Sequence, residues 1–294
     1  MIFTIELQFA YMNYFIYNPI SGNHTSRKKK KLLDLIELSP DNIVFETTQQ
    51  GDEIALTKRA IELGAERVIA VGGDGTINKV ASVLVGTDIP LGIIPIGSGN
   101  GLARHLNISM QFSKALSTVM KGSHISMDAC YLDDQVFFCT AGLGFDALVA
   151  NTFDKRKKRG LFNYIIAVFV SLFHFKPIQV RINDGPFEKL LLLTISNANQ
   201  YGNNAYISPN ADVQDGRFEI IKIKPVHPIK LITIVLRLFL KNIDNSSYVE
   251  IINTDHATIQ YGINQFLHAD GESLVTKNEV LSISVRANSL KVIV

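Results

Sequence analysis

The chain has 294 residues, enough for two domains or one large one. Its 47% hydrophobic and 19% charged residues support a sizeable core and exclude intrinsic disorder. The 29 Lys and Arg almost balance the 27 Asp and Glu, and a formal charge of +2 excludes the concentrated positive field of a nucleic-acid binder. Residues 1–10 lack the basic start and long apolar stretch of a signal peptide. Met12 directly precedes the first expected strand, so residues 1–11 read as an extension. Strands are expected at 13–18, 42–46, 67–71 and 91–94, alternating with helices at 27–38, 52–63, 76–85 and 100–106. Short buried-type strands alternating with helical periods predict a parallel sheet wrapped by helices.

From residue 124 the rhythm changes. Strands are expected at 125–132, 135–140, 178–182, 189–196, 217–223, 247–252, 257–261, 280–285 and 289–294. Turn signals such as Asp133-Asp134, Asn183-Asp184-Gly185-Pro186 and Asp215-Gly216 separate them. They predict a mainly antiparallel β-sandwich with inserted helices at 161–174 and 228–240. The longest apolar stretch, 164–175, has twelve residues, short of the roughly 18–20 that a membrane span needs. Cys130 and Cys139 match no zinc or redox spacing and exclude a disulfide scaffold, so a reducing cytoplasm is the expected setting. The histidines show no ligand spacing.

Three segments carry the chemistry. Val71-Gly72-Gly73-Asp74-Gly75-Thr76 takes an apolar strand into glycines and then a helix. Glycines let backbone N–H groups approach an anion closely, and the helix N-terminus adds partial positive charge. The plainer alternative is a tight turn capped by Asp74 or Thr76. Pro95-Ile96-Gly97-Ser98-Gly99-Asn100-Gly101 repeats the design after the next strand, and Asn18-Pro19-Ile20-Ser21-Gly22 forms a polar turn after the first. None fits the Walker A or the G-x-G-x-x-G pattern. Glycine-rich loops at the carboxyl ends of neighbouring strands are where an open α/β sheet binds ligand, and the three together predict a nucleotide-phosphate site.

Taken in chain order, the three segments resemble the diacylglycerol kinase catalytic-domain superfamily, which includes bacterial soluble lipid kinases and sphingosine kinases. The resemblance continues through Gly142-Leu143-Gly144-Phe145-Asp146-Ala147, Ser196-Asn197-Ala198, Tyr201-Gly202, Ser208-Pro209-Asn210-Ala211-Asp212 and His268-Ala269-Asp270-Gly271-Glu272. It implies an ATP-dependent lipid kinase using magnesium, with a nucleotide-binding α/β domain over 1–123 and a lipid-binding β-sandwich over 124–285. Residues 286–294 would return to the first domain. Glu272 matches the family's proposed base. Asp74 would either hold the nucleotide's magnesium, directly or through water, or act as the base as considered in sphingosine kinases, and Asp270 would assist either role. Asn18, Ser21, Gly22, Thr48, Gly72, Gly73, Gly75, Thr76, Asn78, Gly97, Ser98 and Asn100 would form the nucleotide site. Asp212, Asp215 and Arg217 match a second, structural magnesium site, against the plainer reading of an Asp-Gly turn without metal.

Two positions depart from the family pattern: Gly101, where many bacterial members carry Asp, and Lys79, where Glu is usual. The basic run Lys155-Arg156-Lys157-Lys158-Arg159 feeds an apolar helix. That helix is either a core element or a surface that meets anionic lipid, which would make the protein cytoplasmic with peripheral contact to the inner face of the membrane. Lys28–Lys31 reads as a solvated helix face. The alternatives are a kinase of a soluble substrate, such as NAD kinase, which shares Gly-Gly-Asp-Gly-Thr, and a non-catalytic nucleotide or lipid sensor.

Overall fold

The computed structural model describes residues 12–22, 25–144, 177–262, 267–274 and 278–294. The expected helix at 161–174 and the basic run at 155–159 lie outside them. The first lobe opens with β1 (Asn13–Tyr17), α1 (Ser26–Ile36), β2 (Asn42–Glu46), α2 (Asp52–Glu62), β3 (Arg67–Gly72), α3 (Asp74–Leu84) and β4 (Leu91–Pro95). The short α4 (Gly101–His105) and α5 (Phe112–Lys121) complete it. The four strands pair in parallel in the order β2-β1-β3-β4. Every residue of β1 and β4 is buried, as strands covered on both faces require. Four consecutive carboxyl ends therefore open on one edge of the sheet, and the loops at 18–22, 47–50, 73–75 and 97–101 issue from them.

The second lobe is built from β5 (His124–Leu132), β6 (Gln135–Phe137), β7 (Thr140–Gly144), β8 (Ile178–Ile182), β9 (Phe187–Leu190), β10 (Leu192–Ser196) and β11 (Phe218–Ile223). After α6 (Pro228–Phe239) come β12 (Val249–Thr254), β13 (His256–Tyr261), β14 (Leu267–Ala269), β15 (Glu272–Leu274) and β16 (Val280–Ile293). Six strands form an antiparallel sheet in the order β12-β11-β10-β7-β14-β15. Alternation along β10 and β11 sends Leu193, Ile195, Phe218 and Ile220 towards β8, β13 and β16, closing the sandwich core. The opposite face carries Leu192, Ile221 and Ile223 against Leu231 and Ile234 of α6.

The lobes share a sheet. β16 runs antiparallel to β5 and β13, and its end lies parallel to β4 at Val292 and Leu91, which joins both lobes in ten strands. The expected strands 280–285 and 289–294 are thus one strand with a register shift between Arg286 and Leu290. The Asn288 N–H there donates to the fully buried Asp128 at 2.7 Å. The expected strand 189–196 is two strands, and 135–140 divides between β6 and β7. The helix α5 and the β14–β15 hairpin had no counterpart in the sequence reading.

Candidate active site

The four loops and the facing edge of the second lobe line one cavity of about 730 Å³. Asp74 and Glu272, from different lobes, both face it. So do Asn18, Ser21, Gly22, Thr48, Gly73, Gly75, Thr76, Asn78, Gly97, Ser98 and Asp270. Gly72 and Asn100 stand behind the lining. A Cβ on Gly72 would meet the Thr76 side chain at 2.4 Å. The buried Asn100 braces its own loop by donating from Nδ2 to the Gly97 carbonyl at 2.9 Å.

The two glycine loops pack on each other before they can meet any ligand. A Cβ on Gly97 would stand 2.5 Å from the Gly73 Cα, and one on Gly99 would stand 2.8 Å from Asp74 Oδ2. The Asp74 carboxylate accepts from the Asn100 N–H at 2.8 Å and the Gly101 N–H at 2.6 Å, satisfying the first donors of α4. Burial pushes the Asp74 carboxyl above its ordinary value, against these bonds and with help from the nearby Asp270 charge. Asp74 is therefore a cap, but of the helix after the second loop. Its remaining lone pairs leave room for a cation held directly or through water.

Asp270 is more fully engaged. Its Oδ2 accepts from Asn78 Nδ2 at 2.7 Å and the Phe138 N–H at 2.9 Å. Its Oδ1 accepts from the N–H groups of Cys139 at 2.8 Å and Thr140 at 3.0 Å. Burial raises its carboxyl despite these four donors. Asp270 thus ties α3 of one lobe to the β6–β7 turn of the other. Glu272, two residues on, is exposed, and its Oε1 lies 3.4 Å from Lys79 Nζ. The Lys79 departure thus places an ammonium beside this carboxylate.

The Asn18 turn is held by Glu53, which the sequence reading missed. Asn18 Nδ2 donates to Glu53 Oε1 and Thr76 Oγ1, each at 3.1 Å, and Glu53 is buried. Its only sequence signal is an acid in the first turn of a helix, where the dipole alone would account for it. Thr48 donates its N–H and its hydroxyl to Asp52 Oδ2, both at 2.8 Å, and the backbone bond leads the causes that lower the Asp52 carboxyl. A side chain at Gly101 would meet the Gln200 carbonyl, the Gly202 nitrogen and Cys139 Sγ at 3.4, 3.4 and 3.5 Å. A methyl there would make ordinary contact with the other lobe. Cys130 and Cys139 are free thiols pushed well up by burial, which leaves neither a nucleophile.

Asp212, Asp215 and Arg217 line a separate crevice. Asp215 Oδ1 accepts from the Arg217 N–H at 2.9 Å, and Asp212 Oδ1 from the Gln214 N–H at 3.0 Å. Among the described residues no three His, Cys, Asp or Glu side chains group as a metal site. Negative charge is nevertheless crowded there: after burial, the charges of Asp215 and Asp212 add to the rise of the Asp128 carboxyl.

A parallel sheet ending in glycine-rich loops thus faces acids delivered from an antiparallel β-sandwich across one cavity. The diacylglycerol kinase catalytic domain matches residues 13–132, and the YegS C-terminal NAD kinase beta sandwich-like domain matches residues 139–294. The diacylglycerol kinase of Mycobacterium tuberculosis (strain ATCC 25618 / H37Rv) is 31% identical over 281 residues, covering 87% of this chain and 86% of its own length. A diacylglycerol kinase crystal structure from Bacillus anthracis str. Sterne superposes with a TM-score of 0.71 at 20% identity, covering 96% of each chain. The chain belongs to the diacylglycerol kinase family.

Proposed function

We propose that this kinase transfers the γ-phosphoryl group of ATP to the hydroxyl of a lipid of diacylglycerol or sphingoid type. The observation that carries this reading is the position of Glu272, an exposed carboxylate of the second lobe standing over the first glycine loop. A Cβ on Gly75 would be 3.1 Å from its Oε1. The triphosphate lies along the loops after β1, β3 and β4, where main-chain N–H groups and the start of α3 neutralise it. Glu272 takes the proton from the attacking hydroxyl. Magnesium supplies charge neutralisation at the phosphates, with Asp74 as the residue to hold it directly or through water. Incubation with labelled ATP, magnesium and a total lipid extract tests the reading: a labelled phospholipid is expected, and label transferred only to NAD or to water overturns it.

A second magnesium held at Asp212, Asp215 and Arg217 would stabilise the fold without touching the chemistry. Adding magnesium to chelator-stripped protein is then expected to raise the melting temperature of the wild type and not of Asp215→Asn. Equal rises in both would remove this site.

The surface that meets the lipid is α6. Ile229, Ile232, Leu236 and Leu240 are 69, 48, 56 and 68% exposed, at helical spacing on one side of an element whose other side is core. No acidic residue lies between 226 and 243, while Lys230, Arg237 and Lys241 supply positive charge. That combination suits an anionic bilayer. The Leu238 carbonyl accepts from the Tyr206 N–H at 2.9 Å, which ties the helix to the 201–205 turn lining the cavity. Ile232→Asp with Leu236→Asp is expected to weaken binding to phosphatidylglycerol vesicles at least about tenfold, since each buried aliphatic side chain contributes roughly 1.5–3 kcal/mol. Turnover of a short-chain acceptor in solution is expected to persist. Unchanged flotation with vesicles would rule out this face.

A further inference from the structure

The charge of the cavity wall is at odds with its expected ligand. Among the described lining residues, Glu53, Asp74, Asp270 and Glu272 are carboxylates, and Lys79 is the one lysine or arginine. Asp270 is saturated by four donors, Glu53 is bound to the Asn18 turn, and Asp74 caps α4. Glu272 alone among the four is paired with a side-chain cation, at 3.4 Å. The pair is lopsided in exposure: the Lys79 side chain is 19% accessible and that of Glu272 56%. Such a partly solvated pair is weak and easily exchanged for a denser anion. Lys79 lies in α3, the helix whose first turn is the glycine loop, so its position is fixed relative to the phosphates and not to the mobile acceptor.

We infer that Lys79 binds the terminal phosphate of the nucleotide, exchanging Glu272 for that phosphate when ATP enters. The exchange has two consequences. The ammonium neutralises the equatorial oxygens of the group in transfer, the work that a lysine or arginine clamp performs in phosphoryl transfer generally. It also leaves the Glu272 carboxylate unpaired, next to the γ-phosphate and available to the incoming hydroxyl. In the transfer step the bond from the γ-phosphorus to the β–γ bridging oxygen breaks and a bond to the lipid oxygen forms. The hydroxyl proton passes to Glu272, ADP departs with the bridging electron pair, and Lys79 keeps its proton throughout. The neighbouring Asn78, bound to Asp270, holds the second lobe in place while Lys79 changes partner.

This inference rests on the reading of the cavity as an ATP site with Glu272 as base, and the test separates the two. Calorimetry with magnesium compares ADP with the non-transferable imido analogue of ATP, on wild type, Lys79→Met and Lys79→Arg. Lys79→Met is expected to lose about tenfold in affinity for the analogue while ADP binding stays within about twofold. Lys79→Arg is expected to restore most of the loss, and kcat is expected to fall in Lys79→Met more than the KM for lipid rises. Unchanged ADP affinity also reports that the variant is folded. Equal losses for both nucleotides, or none for either, would assign Lys79 to a purely structural latch and overturn the inference. The underlying reading is checked on its own by Glu272→Gln: retained transfer removes the base assignment, and a wild type that binds neither nucleotide removes both.

Discussion

Replacing Gly97 by alanine is expected to abolish nucleotide binding and to lower the melting temperature by about 5–10 °C, at roughly 2–4 °C per kcal/mol for a chain of this size. The added Cβ would stand 2.5 Å from the Gly73 Cα and 2.7 Å from Asn100 Oδ1. Carbon atoms in contact settle near 3.5–4.0 Å, so the two loops must part by about 1 Å. Neither neighbour can yield cheaply. Gly73 is main chain at the start of α3, and Asn100 is buried with its amide committed to the Gly97 carbonyl. Overpacking of this kind costs about 1–3 kcal/mol or more. The functional loss is larger, because a displacement of about 1 Å at a positioning element can cost about a hundredfold in rate. Gly75→Ala is the informative contrast: its Cβ would meet only Glu272 Oε1, the free end of a flexible side chain, at 3.1 Å. That variant is expected to keep ADP affinity within about twofold. Thermal unfolding and calorimetric ADP titration of both variants check the pair. Equal behaviour of the two would show that the loop crossing does not matter.

The same crossing explains what could be read from the sequence. The glycine loops announce themselves because the backbone alone dictates them: strand, glycines and helix are contiguous, and the parallel first lobe follows from that rhythm. The expected strand at 42–46 and helix at 228–240 reappear as β2 and α6 for the same local reason. Contacts that depend on remote partners were not legible. Asp270 meets the Phe138, Cys139 and Thr140 amides across about 130 residues, and nothing near either segment marks the other. Glu53 looks like any acid at a helix start until Asn18 and Thr76 close on it. The stretch Arg286-Ala287-Asn288 falls between the expected strands 280–285 and 289–294. It is an irregularity inside β16 because the buried Asp128 accepts the Asn288 N–H and β5 continues alongside. Lys79 was visible as a departure from the family pattern, but its meaning required Glu272 at 3.4 Å.

Asp270→Asn is expected to cost about 1–3 kcal/mol of stability and to lower activity, although it alters a single atom. The backbone is not the reason, since Asp270 has φ 47° and asparagine tolerates that left-handed region as well as aspartate does. The reason is donor arithmetic. Each carboxylate oxygen accepts two N–H groups, from Asn78 and Phe138 on one side and from Cys139 and Thr140 on the other. An amide offers one acceptor oxygen, so its NH2 must face two of these four donors. Turned to Cys139 and Thr140 it strands two main-chain N–H groups. Turned to Asn78 and Phe138 it strands only the Phe138 N–H, because the Asn78 amide can turn its own oxygen to accept. Each buried donor left unsatisfied costs about 1–3 kcal/mol. If the amide faces Asn78 and Phe138, the bond between α3 and the second lobe survives with its direction reversed, and the Phe138 N–H is left without an acceptor. If it faces Cys139 and Thr140, the start of β7 is strained instead. Denaturant unfolding measures the first effect and turnover the second. Asn78→Ala supplies the comparison, because it removes only the interlobe donor and leaves the three backbone amides bound. A comparable stability loss in Asn78→Ala with a larger loss of turnover is the expected pattern, and a fully active Asn78→Ala would show that the tie between the lobes plays no part in the chemistry.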